Sequence, residues 1–338
     1  MDHKVSIVII GRNEEQSIGK CIDAALAASA RVGGAEVIYV DSNSTDGTVA
    51  VVRQHGVSIR LLDPNLRACP SAGRFAGSLA AAGEYILFLD ADTLIDPDFL
   101  PQAIKHFEGD GSIGGVNGRI DDLTESGAAV PEIDERSDGI MDVKWLRGPS
   151  CLYRRTALLK AGSFNPELAM EEEAELGLRI VARGWKLNVL PIPMSCHTRA
   201  FHPNSLRSTW ATFRRDIRSK RIGEITRTIA YAFQAGNGIE FCWLRLKTTI
   251  VFAIWLAMIA ACSLLPSSVY PHYFAFMLFL LGVAAVFAKK RSLPQIVTFA
   301  AAKTINLIDV IAGIPLIFRS REGANTDGKR AGLIANEN

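Results

Sequence analysis

The chain has 338 residues, with 37 Lys and Arg against 35 Asp and Glu and a formal net charge of +2. That length leaves room for two domains or one large one, and the near-neutral balance gives no electrostatic case for a nucleic-acid partner. The six cysteines (Cys21, Cys69, Cys151, Cys196, Cys242 and Cys262) show no paired spacing and no C-x-x-C. This argues against a disulfide framework or zinc site and suits a reducing compartment. The opening Met1-Asp2-His3-Lys4 leads straight into a strand pattern, so no secretion signal is expected there.

The first third alternates strand and helix signals. Val5–Ile10 reads as a strand, Glu15–Ser29 as a helix with Ile18, Ile22, Ala25 and Leu26 on one face, and Val37–Val40 as a second strand. A short helix over Asp46–His55, a strand over Val57–Leu62, an alanine-rich helix over Ala72–Ala82 and a strand over Tyr85–Leu89 follow. Such alternation implies βαβ units and a mostly parallel sheet. The first βα turn, Gly11-Arg12-Asn13-Glu14, lacks G-x-G-x-x-G and no P-loop is present, which disfavours hydride transfer. Beyond Thr93, strands are expected over Gly111–Ile120, Gly148–Arg154 and Lys186–Leu190, and an acid-led helix over Glu171–Arg183.

The fourth strand stops at two carboxylates, Asp90-Ala91-Asp92. Ligands of open α/β sheets sit beyond the carboxyl ends of the strands. Paired acids there are costly unless a cation or hydrogen-bond donors compensate them, and a hard divalent ion shared with substrate phosphates is the natural compensator. The competing reading is that Asp90 and Asp92 cap the next helix, whose start Asp96-Pro97-Asp98 marks.

Toward the C-terminus, Arg207, Arg214, Arg215, Arg218, Lys220, Arg221 and Arg227 interleave with Trp210, Phe213 and Ile217. This reads as a basic amphipathic helix for anionic lipid or phosphate, or as an ordinary solvated face. From Thr248 to Ala288 there is no Asp, Glu, Lys or Arg. Spans over 248–265 and 270–288 each approach the roughly 20 residues that cross a bilayer. Arg245 and Lys247 before them and Lys289-Lys290-Arg291 after them place both outer flanks in the cytosol. Ile296–Phe318 contains Lys303, Asn306 and Asp309, so an interfacial or re-entrant helix is expected rather than a third crossing.

Four strings stand in chain order: Val8-Ile9-Ile10-Gly11-Arg12-Asn13-Glu14-Glu15, Val40-Asp41-Ser42-Asn43-Ser44-Thr45-Asp46-Gly47-Thr48, Gly73-Arg74-Phe75-Ala76-Gly77 and Asp90-Ala91-Asp92. Over residues 4–200 this set resembles the family 2 glycosyltransferases of GT-A fold. The resemblance implies an α/β fold: a GT-A (Rossmann-like), mostly parallel sheet domain followed by C-terminal membrane helices. It implies a nucleotide-sugar pocket drawing on Ile10, Arg12, Glu14, Asp41, Arg74, Asp90 and Ala91. Asp41 is placed to accept hydrogen bonds from a nucleobase, or else to cap the turn Ser42–Gly47. Arg74 is expected to begin a helix and contact phosphate, or to be a surface arginine. Asp90, Asp92 and His197 would hold Mg²⁺ or Mn²⁺, although a lone histidine is often structural.

The family's acid string opening a helix is matched by Glu172-Glu173-Ala174-Glu175-Leu176, which puts Glu173 in the position of the general base. Glutamate there replaces the usual aspartate and adds roughly 1.5 Å of reach. Ile10 and Arg12 replace the usual proline and tyrosine, and no Q-x-x-R-W string follows the base, so a single-transfer enzyme is expected. The resemblance implies inverting, metal-dependent transfer from a UDP- or GDP-sugar to a lipid-linked or saccharide acceptor, with Glu173 and Asp92 as catalytic residues. A nucleotidyltransferase and a membrane scaffold without turnover are the rival readings. The expected organisation is a catalytic domain over 1–200, a basic juxtamembrane segment over 201–246, membrane-associated helices over 247–318 and a flexible tail over 319–338. This corresponds to a multi-pass protein of the cell membrane with its catalytic domain on the cytoplasmic face.

Overall fold

The computed structural model describes residues 4–64, 66–123, 129–131, 139–197, 224–264, 303–304, 307–308, 310–311 and 334–336. The chain divides into two units, residues 1–201 with 323–338, and residues 202–322.

The first unit is built on one sheet. Strands β1 (Val5–Gly11), β2 (Glu36–Asp41), β3 (Ser58–Leu62) and β4 (Tyr85–Asp90) lie parallel in the order β3-β2-β1-β4. Helices α1 (Ile18–Ala30), α2 (Thr48–Gln54) and α3 (Pro70–Ala80) connect them. The continuous apolar runs of β1 and β4 fit burial on both faces. Ile7, Ile9, Leu87 and Leu89 join one core with α1 residues Ile18, Cys21 and Ile22. Val8, Ile10, Ile86 and Phe88 join the other with α3 residues Ala72, Phe75 and Ala76. The two-residue side-chain period thus divides each strand between two cores.

The expectation of a mostly parallel sheet needs correction past β4. There follow β5 (Thr93–Ile95), α4 (Phe99–Gly109), β6 (Ile113–Leu123), β7 (Ala129–Pro131), β8 (Met141–Val143), β9 (Ser150–Arg154), α5 (Arg155–Lys160), α6 (Glu172–Val181) and β10 (Lys186–His197). The order continues β4-β9-β6-β10-β5; β9 is antiparallel to β4 and β6, β10 is parallel to β6, and β5 is antiparallel to β10. The sheet is mixed. Strand β10 runs seven residues beyond the expected Leu190, passing Pro191 and Pro193 through register shifts between Val189 and Ser195. Bulges of this kind are where a strand tolerates proline.

Helix α1 starts at Ile18 rather than near Glu15, because residues 13–15 bond across to the loop after β2. Helix α2 starts at Thr48, where Asp46 Oδ1 accepts from the Thr48 amide at 3.0 Å. In the tail expected to be flexible, β11 (Ile334–Asn336) pairs antiparallel with β3 and occupies an edge whose backbone groups would otherwise lack partners.

In the second unit, α7 (Glu224–Gln234) and α8 (Gly238–Phe241) are followed by a π-helical turn, Cys242–Leu246, and by α9 (Lys247–Leu264). Residues 238–258 are long and apolar enough to cross a membrane, and 17% of that stretch is buried within the protein. The basic segment 205–223, the span expected over 270–288 and most of 296–318 lie outside the described residues.

Candidate active site

Parallel registration brings the strand ends together. Gly11 lies beside Asp41, and Ile10 lies between Val40 and Asp90. The Ala91 amide donates to Ile10 O at 2.9 Å and the Ser42 amide to Gly11 O at 2.9 Å. A Cβ on Gly11 would stand 2.7 Å from Ala91 Cβ and 3.0 Å from the Tyr39 hydroxyl oxygen, so the crowding calls for glycine at 11 and a small residue at 91.

The loops after β1 and β2 are laced to each other. Asn13 and Asn43 adopt left-handed backbone (φ 59° and 63°), which asparagine accepts more readily than most residues. Asn13 Oδ1 accepts from the Thr45 amide at 2.8 Å, and the Asn13 amide donates to Ser44 Oγ at 2.9 Å. Asp41, 2% exposed, accepts from the Tyr39 hydroxyl at 3.1 Å, the Ser44 hydroxyl at 2.6 Å and the Ser44 amide at 2.8 Å. Of its two expected tasks, capping the turn is the one its bonds perform. Its contacts hold Tyr39 fully protonated, since burial and then the Asp41 charge both raise the phenol pKa. Glu14 accepts from the Ser17 hydroxyl at 2.8 Å. Arg12 is exposed, whereas Ile10 is buried core facing Gly73.

The strand-end acids do not cap a helix, because β5 intervenes before α4 starts at Phe99. Pairing of β10 with β5 places His197 opposite Thr93, and His197 Nε2 lies 3.3 Å from Asp92 Oδ1. Asp90 takes a different partner, with its Oδ1 accepting from Arg74 Nη2 at 2.8 Å.

Arg74 departs most from expectation. It lies within α3 rather than at its start, is 2% exposed rather than a surface arginine, and directs its guanidinium inward. Nη1 donates to Glu172 Oε1 at 2.8 Å and Glu173 Oε1 at 3.1 Å, and Nη2 donates also to Gly148 O at 2.8 Å. Desolvation disfavours the Arg74 charge, yet Asp90, Glu173 and Glu172 outweigh it and keep the guanidinium protonated. Burial, against the pull of Arg74, with Asp92 and Glu173 adding to it and His197 opposing, pushes the Asp90 carboxyl up to about 6. Arg74 thus ties Asp90 to Glu173, while Asp92, two residues after Asp90, faces His197.

Glu171, in left-handed backbone at φ 61°, turns the chain into α6, whose first turn carries Glu172 and Glu173. The Glu172 side chain is 6% exposed and that of Glu173 is 18% exposed. Burial, and then the neighbouring Glu173, raise the Glu172 pKa well above the carboxylate range; Arg74 only partly offsets them. Asn117 fastens the adjoining loop, with its Oδ1 accepting from the Arg147 amide at 3.0 Å and its amide donating to Ser150 O.

Residues 6–158 match the family described as glycosyl transferase family 2, and residues 85–289 match glycosyl transferase family group 2. The chain belongs to this glycosyltransferase family. It is 28% identical over 198 residues to the poly(ribitol-phosphate) beta-glucosyltransferase of Bacillus spizizenii, covering 55% of this chain and 31% of that protein. It is 25% identical over 205 residues to the beta-monoglucosyldiacylglycerol synthase of Nostoc sp., covering 56% of this chain and 43% of that protein. The chain thus spans less than half the length of either enzyme. Among solved structures it resembles the mannosyltransferase PcManGT from Pyrobaculum calidifontis in complex with GDP-Man and Mn²⁺, at TM-score 0.62 and 18% identity, over 93% of this chain and 88% of that one. At that identity the likeness is one of fold, the GT-A architecture expected from the sequence.

Within this glycosyltransferase fold, no group of three or more His, Cys, Asp or Glu side chains forms a ready metal cage among the described residues. A carboxylate and an imidazole 3.3 Å apart do fit a cation that takes few protein ligands and completes its shell with phosphate oxygens and water. The sequence reading missed the buried network joining Arg74 to Glu172 and Gly148. Its one sequence signal was a single arginine, between Gly73 and Phe75, on a helix otherwise made for the core.

Proposed function

We propose that the protein is an inverting, metal-dependent glycosyltransferase that moves a sugar from a UDP- or GDP-sugar to a lipid-linked or membrane-proximal acceptor. The observations that carry this reading are Asp92 and His197 3.3 Å apart at the end of β4, and Asp90 and Glu173 joined through Arg74 beside them in the chain fold. Asp92 and His197 would hold Mg²⁺ or Mn²⁺, with Asp90 as a further oxygen donor. When bound, the ion neutralises charge developing on the diphosphate leaving group. Loops 11–17 and 41–47, with Ile10, Arg12, Glu14, Asp41 and Ala91, would form the nucleotide side. Glu173, the more open acid of its pair, would take the proton of an acceptor hydroxyl as that oxygen attacks the anomeric carbon opposite the diphosphate. One displacement of this kind inverts the anomeric centre.

Residues 1–200 would form the catalytic domain, 201–246 a juxtamembrane segment and 247–318 the membrane-associated part. Membrane attachment concentrates the enzyme on a bilayer acceptor, and the two relatives named above carry acceptors of polymer and lipid kinds in their names. The experiment is nucleotide release and label transfer into lipid from radiolabelled UDP- and GDP-sugars, with and without Mn²⁺. Glu173→Gln and Asp92→Asn should each lower turnover by 10² or more, the usual order for losing a general base or a charge stabiliser. Full activity of either variant, or activity in excess EDTA, would remove the mechanism.

A further inference from the structure

Arg74 is among the largest fully buried side chains of the protein, with the Phe164 ring 5.7 Å from its guanidinium carbon. A buried cation needs counter-charge, and one well-placed partner can supply it. Glu172, itself 6% exposed, accepts from it at 2.8 Å, but burial favours the protonated form of that carboxyl and leaves it a weak source of charge. Two further carboxylates converge on the same group: Asp90 from the end of β4 and Glu173 from α6.

These two differ from Glu172. Their side chains are 32% and 18% exposed, and each gives Arg74 one oxygen, Oδ1 of Asp90 and Oε1 of Glu173. A carboxylate tied by one oxygen to a rigid buried fork is oriented while its other oxygen stays available. The guanidinium suits this because its donors lie in one plane at fixed angles, which an ammonium cannot reproduce. Its Nε is buried without a partner, a cost of about 1–3 kcal/mol that a role in packing alone does not explain. With four hydrogen bonds to protein and 2% exposure, Arg74 is not placed to touch a diphosphate.

We propose that Arg74 is a positioning residue: anchored on Glu172, it holds Asp90 and Glu173 in one frame and so fixes the separation between the donor side and the acceptor base. This rests on the reading of Glu173 as the base. The frame joins residues 98 and 99 positions apart in the chain, so it can form only once α3, β4 and α6 have packed. A displacement of about 1 Å between reacting groups costs about 100-fold in rate.

The test uses the full chain in its membrane fraction with Mn²⁺ and four donors: UDP-glucose, UDP-N-acetylglucosamine, UDP-galactose and GDP-mannose. Release of nucleoside diphosphate is read from the donor that the native chain consumes fastest. Arg74→Lys, folded by its melting transition, should lose about 100-fold in kcat while donor KM changes little. Arg74→Gln, which cannot hold both carboxylates in one plane, should lose kcat in the same way with donor KM little changed. Native kcat in folded Arg74→Lys, or a loss that follows only the folded fraction, overturns the proposal.

If neither Arg74 variant folds, Gly148→Ala carries the test. A Cβ there collides with Glu173 Oε1 and displaces that carboxylate from Arg74. Lowered kcat with donor KM little changed supports the frame, and native kinetics in the folded variant overturn it. Glu173→Gln separates the two ideas. If it is inactive while Arg74→Lys is native, only this inference fails. If it is fully active, or the native chain releases no nucleotide, the functional reading falls first and the inference with it.

Discussion

Glu172 has a side chain 6% exposed, Glu173 beside it, and a single cation, Arg74, shared among three carboxylates. Burial and the Glu173 charge raise its pKa well above the usual carboxylate range. Over the interval between the unfolded and folded values, the native state keeps a proton that the unfolded chain has released. Stability therefore falls as pH rises through that interval. Glu172→Gln removes the titration and keeps an acceptor oxygen for Arg74. Urea unfolding from pH 5 to 8 should show the native chain losing stability relative to this variant by at least about 1.4 kcal/mol, the equivalent of one pKa unit. A pH-independent difference would show that Glu172 ionises normally. Such detail was not legible in the sequence. Asp92, Glu173 and His197 could be picked out because each stands in a local string or beside a strand end. The charge balance of Glu172 and the inward course of Arg74 depend on contacts between residues far apart in the chain, which no local spacing encodes.

At the scale of elements, α3 and β1 meet in a tight joint beneath the site. A Cβ on Gly77 would stand 3.3 Å from Val8 Cβ and collide with Val8 Cγ1, on a β-branched side chain fully buried in the core. Gly77→Ala gains up to about 1 kcal/mol of helix propensity. Overpacking of this kind costs about 1–3 kcal/mol, so a net loss of stability is expected in chemical denaturation. A second effect sets it apart from an ordinary core lesion. Any outward shift of α3 carries Arg74 with it, so turnover should fall at temperatures where the variant is still fully folded. The first half of the sheet was legible because β1 to β4 are buried apolar runs joined by helices of standard length. In the second half strands β6, β9 and β10 could be located but not ordered, because β9 enters antiparallel between β4 and β6, and strand direction leaves no mark on composition. Strand β10 was read short because its two prolines normally end a strand, and here they sit at bulges.

For the whole molecule, the question is what solvent the second unit meets. In α9, Val251 is 65% exposed and Ile254 55% exposed, and Met258 and Leu256 are exposed as well. A core helix of a soluble protein would bury such residues, since an exposed apolar patch of this size marks an interaction or membrane surface. Arg245 and Lys247 lie just before the charge-free run that starts at Thr248, and Trp243, 67% exposed, lies beside them, the residue types found where a helix enters a bilayer. The full chain should therefore sediment with membranes and resist extraction by high salt and by alkaline carbonate. A lysine at the centre of an inserted helix costs about 2.5–3.5 kcal/mol, so Val251→Lys with Ile254→Lys imposes about 5 kcal/mol or more. That is enough to shift the protein into the carbonate-soluble fraction if α9 inserts. Unchanged sedimentation of the double variant would mean that α9 is covered by protein. Nucleotide release by the soluble variant would then separate the two units' tasks, because the site around Asp92 and Glu173 belongs to the first unit, and only transfer to a bilayer acceptor should be lost.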